Sequence, residues 1–152
     1  MKTILLAVLL SAIACQADVT DKLIGKWSGT ATATSNGTAV SQKMTIVYKR
    51  YEGTGLHAVT TIQVSGQKMI GISRYHKNGK VEGELKRNGA VVAVISGTWT
   101  ATNKVLTTSV KAEGLFPSFR SNSKSTLVAP DKINLSGSTS TGERSVGSLK
   151  KQ

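Results

Sequence analysis

Two histidines, one cysteine and eight carboxylates are the side chains of this 152-residue chain on which reaction chemistry could rest. His57 and His76 fall on different predicted strands, and neither has a carboxylate at a spacing that marks a general acid–base pair. His76 lies beside a turn among lysines, where a solvated role is expected. Glu82 and Glu84 alternate along one strand and read as an exposed face. No zinc-type cluster, nucleophile elbow or phosphate-cradling glycine loop appears in the sequence. The expectation is therefore a protein that is not an enzyme and uses neither a metal nor a cofactor.

The elements that would position any site are more legible. From Trp27 onward the chain is a series of short β-type runs, each closed by a turn signal. The signals are Asn36-Gly37, Glu52 to Gly55, Ser65-Gly66, Asn78-Gly79, Asn88-Gly89, Thr102-Asn103, Gly114 to Ser118, Pro130-Asp131 and Thr141-Gly142. Asn-Gly is the strongest short hairpin signal, because a type I′ turn needs positive φ at both central residues. Alternation within the runs agrees. Met44, Ile46 and Tyr48 oppose Thr45 and Lys49, while Val81, Gly83 and Leu85 oppose Glu82, Glu84 and Lys86. The pattern predicts an all-β fold, an up-and-down antiparallel β-barrel of about 8–10 strands.

Residues 1–17 are set apart. Met1-Lys2 is a positive start, Ile4 to Ala14 is an apolar run too short to span a bilayer, and small residues follow. This reads as an export signal. Ser11-Ala12-Ile13-Ala14-Cys15 resembles a bacterial lipobox, with Ala12 where Leu is usual; cleavage after residue 14 would leave Cys15 acylated. Cleavage after Ala17 would instead remove the cysteine. Either way residues 18–152 form one domain; with Cys15 acylated, Gln16 to Lys22 would serve as a short tether holding the barrel near a membrane surface. The expected location is the cell envelope as a lipoprotein, or the periplasm or exterior as a secreted protein.

The formal charge of +12, +11 without Lys2, suggests attraction to anionic partners, including a membrane surface. The basic residues are spread along the chain, as on a solvated surface. An exported chain with two Trp, three Tyr and two Phe has little with which to stack bases, so nucleic acid is not expected.

Leu23-Ile24-Gly25-Lys26-Trp27, followed by Ser28-Gly29-Thr30, resembles the Gly-x-Trp opening of the first lipocalin strand, shared with the wider calycin group. The resemblance implies that Trp27 plugs the closed end of a barrel and packs against an Arg near the last strand. Arg144 is the candidate by position and Arg120 the second. Lipocalins have eight strands, whereas the turns here allow ten. Either two strands pair outside the barrel or some turns are over-split.

Many inward positions would be small, among them Ala58, Gly71, Ser73, Gly83 and Gly97, which leaves volume for a ligand. Met44, Ile46, Ile62, Met69, Leu85, Val91, Ala93, Ile95 and Trp99 would form an apolar lining, with Phe116 in a flap at a barrel mouth or in a plug. The expected partner is a small apolar or amphipathic molecule. The alternative is a protein-interaction or adhesion module, with a homodimer as one such association, using the basic outer face and an outward Val92/Val94 stripe.

Overall fold

The computed structural model describes residues 18–114 and 118–152. A short helix, α1 (Val19–Leu23), leads into ten strands. They are β1 (Gly25–Ser35), β2 (Thr38–Tyr51), β3 (Gly55–Val64), β4 (Gln67–Tyr75), β5 (Lys80–Arg87), β6 (Ala90–Ala101), β7 (Val105–Gly114), β8 (Phe119–Ala129), β9 (Lys132–Thr139) and β10 (Arg144–Lys151). Each pairs antiparallel with its neighbours in sequence, and β1 closes onto β10. All ten strands belong to one closed barrel. The two sequence features that precede it, the export signal and Cys15, lie outside the described residues, as does Phe116.

Closure requires tight turns and bent strands. Asn36 and Gly37 have φ of 48° and 79°, and Asn88 and Gly89 have 52° and 84°, the double left-handed geometry of two-residue hairpins. Bending is concentrated where a side chain has no room. A Cβ on Gly83 would lie 2.0 Å from the Ile72 carbonyl oxygen, and one on Gly97 would lie 2.1 Å from that of Ser109. These glycines let neighbouring backbones approach so that the sheet can curl into a barrel.

Pairing sets the faces. Trp27 opposes Ile46, Gly29 opposes Met44, and Ala58 opposes Tyr48, so these residues share the inner surface. The core fills one end of the barrel. Trp27, Tyr48, Leu56, Leu106, Ile133 and Leu149 are buried there with Val19 and Leu23. Thus α1 is a plug rather than a tether. The Val19 amide donates to the Thr102 carbonyl at 3.0 Å, and the Trp27 indole N–H donates to the Leu23 carbonyl at 2.7 Å. Asp21 of α1 also pairs with Arg50 of β2. We call this the closed end; the β1–β2, β3–β4, β5–β6 and β9–β10 connections lie at the opposite, open end.

Two expectations about side-chain placement are corrected. The cation over the Trp27 ring is Lys151, its Nζ 5.3 Å from the ring centroid. Arg144 starts the same strand but pairs with Thr34, near the open end, and Arg120 pairs with Lys111. The Val92/Val94 stripe is also different. A bulge between β5 and β6 pairs Leu85 with Ala93 but Lys86 with Val91, leaving Val92 as the extra residue. Val92 is consequently buried, whereas Val91 and Val94 are exposed. Val91 is therefore removed from the expected lining.

The close approaches make glycine replacements unequal. Gly83→Ala should destabilise the barrel by about 2 kcal/mol or more through overpacking against backbone. At Gly71 a Cβ would meet Leu85 Cδ2 at 3.4 Å, an ordinary contact, so Gly71→Ala should fall within about 0.5 kcal/mol. Urea unfolding midpoints of the two variants measure the difference.

Candidate functional site

Above the plug, the inner faces do not meet. A cavity of about 150 Å³ is bordered by Ala31, Met44, Ile46 and Leu135 on its apolar side and by Thr60, Ser123, Ser125 and Ser145 on its hydroxyl side. The strands explain the division. Ser121, Ser123 and Ser125 occupy successive inward positions of β8, while Asn122 and Lys124 face outward. On β9 and β10 the inward positions are Leu135, Gly137, Ser145 and Gly147, too small to fill the space opposite Met44 and Ile46.

Two tyrosines form part of the floor. Tyr48 hydrogen-bonds Ser125, and Tyr75 hydrogen-bonds Thr108. Burial is the main reason that both phenols are pushed above their ordinary pKa, and the bonds to Ser125 and Thr108 oppose the rise. They remain neutral hydroxyls. Tyr75 stands edge-on to Trp99 at 5.9 Å, and the Trp99 indole N–H donates to the His76 carbonyl at 2.8 Å. The floor is consequently rigid, polar only at its hydroxyls, and uncharged. Among the described residues, the charged side chains at inward strand positions are Arg50 and Lys151 at the closed end and Arg87 at the open end.

Of the expected lining residues, Met44 and Ile46 border the cavity directly. Ile62, Met69, Leu85, Ala93 and Ile95 share the inner face of β3 to β6, with Ile62 opposite Met69 and Leu85 opposite Ala93. Trp99 belongs to the floor rather than the wall. The hydroxyl wall was not anticipated, although the period-two Ser121/Ser123/Ser125 alternation carries its signal in the sequence.

His76 is also better furnished than its local sequence suggests. Its Nδ1 lies 3.0 Å from Glu52 Oε2, and its Nε2 lies 3.2 Å from Glu82 Oε1. Glu52 comes from the β2–β3 turn and Glu82 from β5, so no sequence spacing could reveal the cluster. Tyr51 packs edge-on against the imidazole at 5.4 Å. The cluster clasps two turns on the outside of the closed end. The Glu52 hydrogen bond chiefly raises the His76 pKa, and the same bond chiefly lowers that of Glu52.

The linkage has a definite sign. A raised histidine pKa stabilises the fold fully below the unfolded value near 6.5 and ceases to do so as pH rises through the folded value. The depressed Glu52 contributes above the ordinary Glu range, and that contribution is lost as pH falls through its folded pKa. The clasp should therefore be strongest between about pH 4.5 and 6.5. NMR titration should place the His76 midpoint above the ordinary histidine value, and Glu52→Gln should move it down. A midpoint unmoved by Glu52→Gln would mean that the clasp does not persist in solution.

No protein-family model matches the chain, and no curated protein matches it. Solved structures do. The crystal structure of Rv2717c from M. tuberculosis matches with a TM-score of 0.63 at 16% identity, covering 93% of this chain and 98% of that one. EF1p2_mFAP2b bound to DFHBI matches with a TM-score of 0.53 at 12% identity, over 88% and 97% of the two chains. The S-type phycobiliprotein lyase CPES from Guillardia theta gives 0.52 at 9% identity, over 88% and 90%. At these identities the likeness is one of fold, and that fold is a closed, calycin-like antiparallel barrel.

Proposed function

We propose that the barrel binds a small, uncharged, amphipathic molecule inside its open half. The observation that carries this reading is the cavity of about 150 Å³ with an apolar wall facing a wall of hydroxyls. An apolar surface supplies affinity, and a few placed polar groups fix orientation. The volume suits a single ring or a short branched chain. Charge is disfavoured because a buried ion needs a partner, and the inward polar side chains of the cavity are hydroxyls, the bordering Lys124 standing at an outward strand position. The barrel that holds DFHBI gives the same fold a precedent for small-molecule binding.

The chain acts by binding rather than catalysis in this reading, and it works outside the cytoplasm. The apolar segment before Ala14 and the small residues that follow it support export. N-terminal sequencing and mass analysis of the mature protein should find either an acylated Cys15 or a start at Asp18. An intact Met1 in the mature protein would remove the export reading.

Native mass spectrometry after exposure to a lipid and metabolite extract should show a stoichiometric added mass that leaves on gentle activation. Ser123→Phe, which fills the cavity, should reduce that occupancy at least about tenfold, as expected when a well-packed pocket is lost. Lys49→Ala, on the outer face of β2, should leave it unchanged. A folded Ser123→Phe protein with undiminished adduct would overturn interior binding. A second reading, self-association or adhesion through β6, is favoured by Val91 and Val94, which are 46% and 59% exposed. An adduct-free dimer in the same spectra would favour that face instead.

A further inference from the structure

The outside of the closed end carries a groove of about 530 Å³ between α1, the β6–β7 turn, the end of β8 and the end of β10. Its floor is Leu127, Val128, Ala129 and Pro130, and its rim is Lys22, Lys104 and Lys151. The register shift between Leu127 and Ala129 leaves Val128 out of the ladder and 49% exposed. None of the rim ammonium groups has a carboxylate partner among the described residues. Lys22 donates to the Asn103 carbonyl at 3.1 Å, and Lys151 donates to that of Lys22 at 3.3 Å.

Beside the groove, Lys132 and Lys150 stand directly opposite each other on β9 and β10. Like charges in that position destabilise a sheet. Asp131 lies in the β8–β9 turn and forms an ion pair with neither. Elsewhere on the barrel, Arg50, Arg74, Lys86 and Lys111 are each matched to a carboxylate. Five lysines without an ion pair thus surround one exposed apolar floor, whereas others, such as Lys43, Lys49 and Lys68, are spread over the barrel wall.

We propose that this closed end is a membrane-facing surface that docks on anionic phospholipid. The five lysines meet headgroup phosphates, and Val128 and Pro130 enter the interfacial layer. Lysines near such a surface contribute individually and are screened by salt, while the apolar residues add burial. Chain geometry gives the same orientation independently. Because α1 is folded into the closed end, the domain begins at Asp18, three residues after Cys15. Three extended residues reach about 10 Å, so an anchor at Cys15 would hold this end against the bilayer. The open end would then face away from the membrane. Docking does not depend on what occupies the interior.

The test is co-sedimentation of the full chain with phosphatidylcholine vesicles, with and without about one-third phosphatidylglycerol. Residues 1–17 contribute equally to every variant, so differences report the barrel surface. Lys104→Glu/Lys132→Glu should weaken binding to the anionic vesicles about 25-fold, from two lysines at roughly fivefold each. Lys43→Glu/Lys68→Glu, the same charge change nearer the open end, should weaken it far less. In a Cys15→Ser background, an environment-sensitive dye at Val128→Cys should shift to the blue on anionic vesicles, whereas one at Val146→Cys should not. Equal losses from the two charge pairs, or a dye at Val128 that stays in water, would overturn the proposal. So would a dimer that Val128→Asp dissociates while vesicle binding is unchanged.

Discussion

A closed ring of ten strands encloses more volume than its own inward side chains can fill, and the rest of the structure follows from that excess. Barrel diameter grows with strand number. This chain widens the gap further by placing Gly29, Gly83, Gly97, Gly137 and Gly147 on the inner face. One end is filled by importing material from outside the sheet. Val19 and Leu23 of α1 enter beneath Trp27, and the Leu23 carbonyl accepts the indole N–H, which satisfies that donor in the core. Among the described residues no segment plugs the other half, and the hydroxyl-lined cavity is what remains there.

The same constraint separates charge from function. A basic chain must put its lysines somewhere, and a lumen of low polarity is the worst place for them. The period-two pattern sends Lys43, Lys49, Lys68, Lys86, Lys111 and Lys124 outward and leaves serine, threonine and tyrosine hydroxyls within. The interior therefore offers mainly hydroxyls and apolar groups, with Arg87 at an inward position at the open end. The exterior is basic, and its surface is interrupted by the apolar floor at Val128 and Pro130. One sheet thus presents two chemically distinct surfaces.

Much of this was legible in the chain itself, for reasons that can be traced residue by residue. The turns were clear because Asn36-Gly37, Ser65-Gly66 and Asn88-Gly89 punctuate alternating runs, and each pair adopts positive φ. The bulge at Val92 was not, since an extra residue in a uniformly apolar run from Ala90 to Ile95 leaves no break in the pattern. The α1 plug escaped because five residues are too few to show a helical period. Its burial comes from docking, not from local propensity. The lipocalin-like opening drew attention to Trp27, which is buried against α1, but position alone pointed to another cation than the one over its ring: Arg144 and Lys151 lie at opposite ends of the same strand. The His76 cluster was out of reach altogether, because Glu52 and Glu82 meet it only after three hairpins close.

Access to the cavity is decided by the connections at the two ends. The closed end is held by α1, the Asp21–Arg50 pair and the His76 clasp, which together tie four elements across it. At the open end the β1–β2, β3–β4 and β5–β6 connections have two residues each, all with positive φ. Such turns are too short to fold over a mouth. Val40, at an inward strand position near that mouth, is 39% exposed. A ligand would therefore enter between the tight turns rather than past the plug, and the strands lining its route are those whose inner faces carry the smallest side chains. Among the described residues the segment that plugs the barrel is α1, and it packs beneath Trp27, so the filled end and the cavity lie at opposite ends.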